Sequence, residues 1–290
     1  MTAESPLRAD IVEVGRRMYA RGYTASNDGN ISVRLGSDRL LMTPKGVCKG
    51  FMTPDMMCIT DLDGRKLEGD RDPSSEMLMH LEVYRQRPDV QAVVHAHPPT
   101  ATGFAVAGIP LDRAVLAEVL ATLGSIPIAE YATPSTKELP EAVRKYIHAY
   151  DGMLLANHGA LTVGVDLYGA YYKMETIEHF AKISLVARLL GRENLIPREE
   201  VQRLEQLRGA YGIKAPAPIC ATDESGRPIV DRGSGADCQV VQAPPGHGAR
   251  LVPDAIRLPA GAIQNDGDAE IQLTYRQLAQ LIEDAVRSLR

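Results

Sequence analysis

The chain has 290 residues, with 32 Lys plus Arg against 37 Asp plus Glu and a net charge of −5. That balance argues against a general polyanion binder, whose affinity rests on clustered cations that release phosphate counterions. A 44% apolar, 24% charged composition fits a globular protein with a sizeable core, in one large domain or two small ones.

In chain order, Ser5-Pro6 followed by Leu7, Ile11, Val14 and Met18 predicts a capped helix stopped by Gly22. Glu4, Arg8 and Asp10 stand where an export signal needs an apolar core, so the expected location is the cytoplasm. The runs Ile31–Leu35 and Arg39–Thr43, and then Met57–Thr60 and Arg65–Leu67, predict two hairpins and hence an antiparallel sheet. Pro73 opens a predicted helix with Met77, Leu78, Leu81 and Tyr84 on its apolar stripe, before a strand over Ala92–His97.

The uncharged run Val90–Leu111 is broken by His95, His97 and three prolines, so no membrane span is expected. Short helices follow at about 99–107 and 114–123, a strand near Ile128, a helix over 137–149 and a strand over Met153–Ala156. Asp166 caps a long helix to Leu190 with Leu167, Tyr171, Met174, Ile177, Ala181, Ser184 and Val186 near one face, and another helix follows Pro197. Residues 213–268 carry 7 Gly and 7 Pro, marking a loop-rich extension, yet they hold enough Ile, Val and Leu to pack on the core or on a neighbouring subunit. A terminal helical segment occupies 269–290, which leaves 1–212 as the main domain. The four cysteines lack CxxC spacing, in keeping with a reducing compartment.

The chemistry concentrates in Val93-Val94-His95-Ala96-His97-Pro98. Positions i and i+2 of a strand share a face, so His95 and His97 can converge on a divalent metal, although a structural pair of histidines is equally open from this segment alone. His158, in Asn157-His158-Gly159 after a buried strand, is a third candidate ligand or else a satisfied turn histidine. Glu76, in Pro73-Ser74-Ser75-Glu76, stands at a predicted helix start whose free N–H groups suit an anion, with Ser74 and Ser75 as its candidate holders. A second anion-binding candidate joins Asn30, in Asp28-Gly29-Asn30, to Lys45 and Gly46, in Thr43-Pro44-Lys45-Gly46; alone, these are ordinary turns. His80, one turn after Glu76, is a candidate supporting group, whereas His148, His179 and His247 read as structural or solvated.

Taken in order, GNxSxR, TPxG, PSSE, VVHxHP and NHG resemble the class II aldolase/adducin family over roughly residues 7 to 210. The resemblance implies a three-layer α/β/α fold around a mostly antiparallel sheet and a homotetramer with active sites between subunits. It implies His95, His97 and His158 as metal ligands, Glu76 as the acid/base residue, and Asn30, Gly46, Ser74 and Ser75 as phosphate-binding positions. Three imidazoles with an open position point to Zn2+, with Mn2+, Co2+ or Fe2+ as alternatives.

The implied activity is that of a metal-dependent aldolase, a lyase cleaving a small phosphorylated or acidic hydroxy-carbonyl substrate through a metal-stabilised enediolate. A decarboxylase of the same family is the alternative, and a non-catalytic adducin-like assembly module a more distant one. Three features depart from the fuculose-phosphate aldolases. No tyrosine stands between Leu111 and Glu130 to match their proton donor, Lys45 replaces a common serine and adds a positive charge suited to a carboxylate or a phosphate, and the 213–268 extension is additional.

Overall fold

A computed structural model describes residues 4–210 together with 238–241 and 250–253. Among these residues an eight-stranded sheet lies between two helical layers. Its strands are β1 (Asn30–Arg34), β2 (Arg39–Met42), β3 (Cys58–Asp61), β4 (Lys66–Glu68), β5 (Ala92–Ala96), β6 (Ile128–Ala129), β7 (Gly152–Leu155) and β8 (Gly159–Gly164). They are ordered β4-β3-β2-β1-β5-β8-β7-β6, and every pair is antiparallel except β6–β7. The two expected hairpins are β1–β2 and β3–β4. This is the expected three-layer α/β/α arrangement.

Alternation along the strands decides which layer each side chain meets. Ile31, Val33, Val94 and Ala96 pack with α1 (Glu4–Ala20), α3 (Pro99–Val106) and α6 (Leu167–Leu189). Leu40, Met42, Val93 and Leu161 face the other way, against α2 (Met77–Gln86) and α5 (Glu138–Ile147). The remaining helices are α4 (Ala117–Thr122) and α7 (Arg198–Ala210), and β9 (Cys238–Val241) pairs antiparallel with β10 (Arg250–Pro253). No helix among the described residues is long and apolar enough to cross a membrane. The expected terminal helix, and most of the 213–268 extension, lie outside the described residues.

Several boundaries differ from expectation. Ser5 lies inside α1, so it is not the N-cap. α4 is shorter than the predicted 114–123 segment. α2 begins at Met77 rather than Pro73, because Pro73 forms an antiparallel bridge with Pro44 and Ser74 N–H donates to the Thr43 carbonyl at 3.2 Å. That cross-loop pairing holds 73–76 in a turn before the helix. Leu78 and Val186, expected on apolar stripes, are exposed, while Met79, Val83 and Phe180 are buried instead. Asp166 does cap α6, its Oδ1 accepting from Gly169 N–H at 2.6 Å. β8 has no counterpart among the expected strands, although it pairs with β5 from Ala160 to Gly164.

Candidate functional site

Strand register gathers the polar residues at one end of the sheet. β1 and β5 pair with Asn30 opposite His95, so the two side chains lie on neighbouring strands facing the α2 layer. His95 is fully buried, and its Nδ1 bonds to the Ala160 carbonyl on β8 at 2.9 Å. That bond fixes the ring and turns Nε2 toward the sheet end. His97 follows β5, its backbone N–H donating to the Tyr23 carbonyl at 2.9 Å.

His158 arrives on the tight β7–β8 turn. Asn157 adopts the left-handed conformation there (φ 55°), and His158 N–H closes the turn on the Leu155 carbonyl at 3.0 Å. Gly159 must lack a side chain, because a Cβ would lie 2.5 Å from the Ala96 carbonyl oxygen and 2.6 Å from the His97 ring. Gly29 is equally constrained: with φ at 71°, its Cβ would sit 2.9 Å from the His95 carbonyl oxygen.

The result is a cluster in which one ligand atom from each of His95, His97 and His158 lies within 4.8 Å of the others. His95 Nε2 and His97 Nε2 are 3.1 Å apart. The Glu76 carboxylate completes the group, with Oε2 3.3 Å from His95 Nε2 and Oε1 3.1 Å from His158 Nε2. Oε1 is buried without a well-aligned hydrogen bond, as is His158 Nδ1. Three converging imidazole nitrogens and an under-satisfied buried carboxylate suit a divalent cation such as zinc, so the donor set fits the metal expected from the sequence.

Electrostatics tie the four groups together. Burial alone would raise the Glu76 carboxyl, but the adjacent His95 and His158 outweigh it and hold Glu76 well below the usual carboxylate range. Burial works against a charge on His95 too, yet Glu76 raises it. His97 is pushed down to about 4 by burial and then by the other two histidines, against the pull of Asp28. Asp28 Oδ2 lies 3.4 Å from His97 Nδ1, in the position of a carboxylate orienting a metal-binding imidazole.

The anion-site candidates form a lip beside this centre. The Pro44–Pro73 bridge, with Lys45 N–H donating to the Asp72 carbonyl at 2.9 Å, brings Lys45 and Gly46 alongside Ser74 and Ser75. Lys45, Gly46 and Ser75 are exposed. Ser74 is buried, and its hydroxyl accepts from the Glu76 N–H at 3.3 Å. Ser74 and Ser75 therefore precede the helix rather than opening it. Asn30 is directed elsewhere: its Nδ2 donates to Glu76 Oε2 at 2.8 Å and its Oδ1 bonds His80.

Sequence reasoning gave no individual role to four residues that lie beside or behind the site. Asp28 supports His97, and Lys49 lies buried beneath the same loops, its Nζ donating to the Val47 and Asn27 carbonyls at 2.7 and 3.2 Å. Burial pushes the Lys49 ammonium down to about 8. Ser32 and Tyr84 join His80 in a buried polar chain. Their signal lay in spacing, since Asn30 and Ser32 share a strand face and His80 and Tyr84 share a helix face.

Residues 9–185 match the model of the class II aldolase and adducin N-terminal domain family. The chain is 34% identical over 207 residues to a 5-deoxy-D-ribulose 1-phosphate aldolase of Bacillus thuringiensis, covering 71% of this chain and 96% of that protein. It is 32% identical over 190 residues to a 3-oxo-tetronate 4-phosphate decarboxylase of Pectobacterium atrosepticum, covering 64% and 87%. A solved L-fuculose 1-phosphate aldolase superposes with a TM-score of 0.67 at 30% identity, covering 73% of this chain and 98% of that one. The chain belongs to the class II aldolase and adducin family.

Proposed function

We propose that the chain is a metal-dependent carbon–carbon lyase, an aldolase acting on a small phosphorylated or acidic hydroxy-carbonyl compound. The observation that carries this reading is the convergence of His95, His97 and His158 with the Glu76 carboxylate. Bound there, a divalent cation supplies Lewis-acid stabilisation of the negative charge that develops on the substrate oxygens during carbon–carbon cleavage. Zinc suits the three imidazoles best.

Glu76, held ionised, accepts the substrate proton and returns it to the carbon left after cleavage. Asn30 donates one amide hydrogen to Glu76 and so aims that carboxylate. Lys45, Gly46, Ser74 and Ser75 grip the anionic tail and set its distance from the reacting carbon, converting binding into orientation. We also propose a cytoplasmic homotetramer with active sites between subunits, as the family resemblance implies.

A decarboxylase is the second reading, favoured by the exposed Lys45 on the lip and by the similarity to a 3-oxo-tetronate 4-phosphate decarboxylase. Assays of purified protein with phosphorylated ketoses and with phosphorylated 3-oxo acids separate the two. An aldehyde product supports the aldolase and carbon dioxide the decarboxylase. Turnover of neither class by the zinc-loaded protein would contradict both.

A further inference from the structure

Behind Glu76 lies a chain of four buried polar side chains whose hydrogen-bond directions are fixed by elementary donor and acceptor counting. A carboxylate only accepts, so the Asn30 group 2.8 Å from Glu76 Oε2 is the amide nitrogen. Asn30 Oδ1 therefore faces His80 Nε2, which must carry the ring hydrogen. His80 Nδ1 is then a bare acceptor, and Ser32 Oγ, 2.7 Å away, donates to it. With its one hydrogen spent there, Ser32 accepts from the Tyr84 hydroxyl at 2.9 Å. Every donor points toward Glu76, along the path Tyr84, Ser32, His80, Asn30.

We propose that His80 is a positioning residue for this chain's reaction: as the neutral Nε2–H tautomer it locks the Asn30 amide so that N–H, not C=O, faces Glu76. This rests on the proposed role of Glu76. The structural argument is independent of it, because His80 is fully buried and sits on a different element from Asn30, to which it is tied across the sheet–helix boundary. The other His80 tautomer would put two acceptors face to face at Asn30, and only a flip of the amide would relieve it. A flipped amide would set its oxygen against the Glu76 carboxylate. Ser32, whose hydroxyl can donate or accept, follows the tautomer from the far side of the ring and keeps Nδ1 hydrogen-bonded.

The test has one arm free of substrate and one that uses it. In 15N-histidine NMR of the full chain, with zinc and after chelation, His80 should be neutral with hydrogen on Nε2, and Ser32→Ala should leave that tautomer in place because Asn30 still requires it. In kinetics, His80→Leu should lower kcat about 10- to 100-fold with KM and bound zinc little changed, as expected of a group supporting a site from behind. His80→Gln, whose amide can donate from the Nε2 position, should restore most of the loss. An Nδ1–H tautomer in the unmodified protein would overturn the proposal. So would equal losses in His80→Gln and His80→Leu, which would mark His80 as mere packing. If no lyase activity is found, the proposed function fails while the NMR arm still decides the relay.

Discussion

The two halves of the site are built differently. The proposed metal-binding half is delivered by β5 and the β7–β8 turn, is buried at His95 and half-buried at His97 and His158, and has each ring contacted by a second group: Ala160 for His95, Asp28 for His97, Glu76 for His158. The proposed anion lip is made of two loops that hold each other by backbone bonds and leave Lys45, Gly46 and Ser75 in solvent. A buried, interlocked centre tolerates little change, because any lost partner leaves a polar atom unsatisfied. An exposed lip held by backbone can change side chains without disturbing the fold, so substrate identity is expected to vary there while the chemistry stays fixed.

That contrast predicts graded effects. The largest belongs to the centre: Glu76→Gln replaces the carboxylate with a carboxamide of the same shape and should retain metal while lowering kcat about 1,000-fold, the scale of a lost general base. Steady-state kinetics with parallel metal analysis checks it, and normal turnover would show that another group moves the proton. Asp28→Asn should weaken zinc binding about 10-fold in competition with a chelator, as supporting carboxylates do. Unchanged affinity would remove Asp28 from the centre.

Acid should expose the cost of burying His80. Burial pushes its pKa down to about 3, so the unfolded chain binds the proton more readily between that value and the ordinary histidine range. Its stabilising contribution is therefore complete above about pH 6.5 and is lost as pH falls, by about 1.4 kcal/mol per pH unit. Comparing denaturation of the unmodified protein and His80→Gln from pH 7 to pH 5 should show a flatter acid limb in the variant. Identical limbs would place the pH dependence elsewhere.

The smallest effect belongs to the lip. Lys45→Gln should raise KM for a phosphorylated substrate about 10-fold with kcat little altered, the signature of lost uniform binding. A collapse in kcat instead would place Lys45 in the chemistry and erase the difference between the two halves.

Where a local pattern decided the outcome, the sequence was readable. The strand-like runs flanking Gly36-Ser37-Asp38 and Asp61–Gly64 became β1–β2 and β3–β4, and the HxH spacing put His95 and His97 at one end of β5. β8 was hidden because a central strand buried along its whole length shows no apolar/polar alternation, and glycines stand at both ends of it. The start of α2 was misplaced because Pro73-Ser74-Ser75 carries good helix-opening residues, which pairing with Pro44 overrides. Asp28 and the Asn30–His80 bond depend on contacts between separate elements that no local window contains.

The central claim is that His95, His97 and His158 form one metal centre. Its most direct test is the divalent metal content of the purified protein beside that of His95→Ala prepared identically. About one ion per chain in the former and almost none in the latter is the expected result for a three-histidine site. Undiminished metal in His95→Ala, with the variant folded, would contradict it.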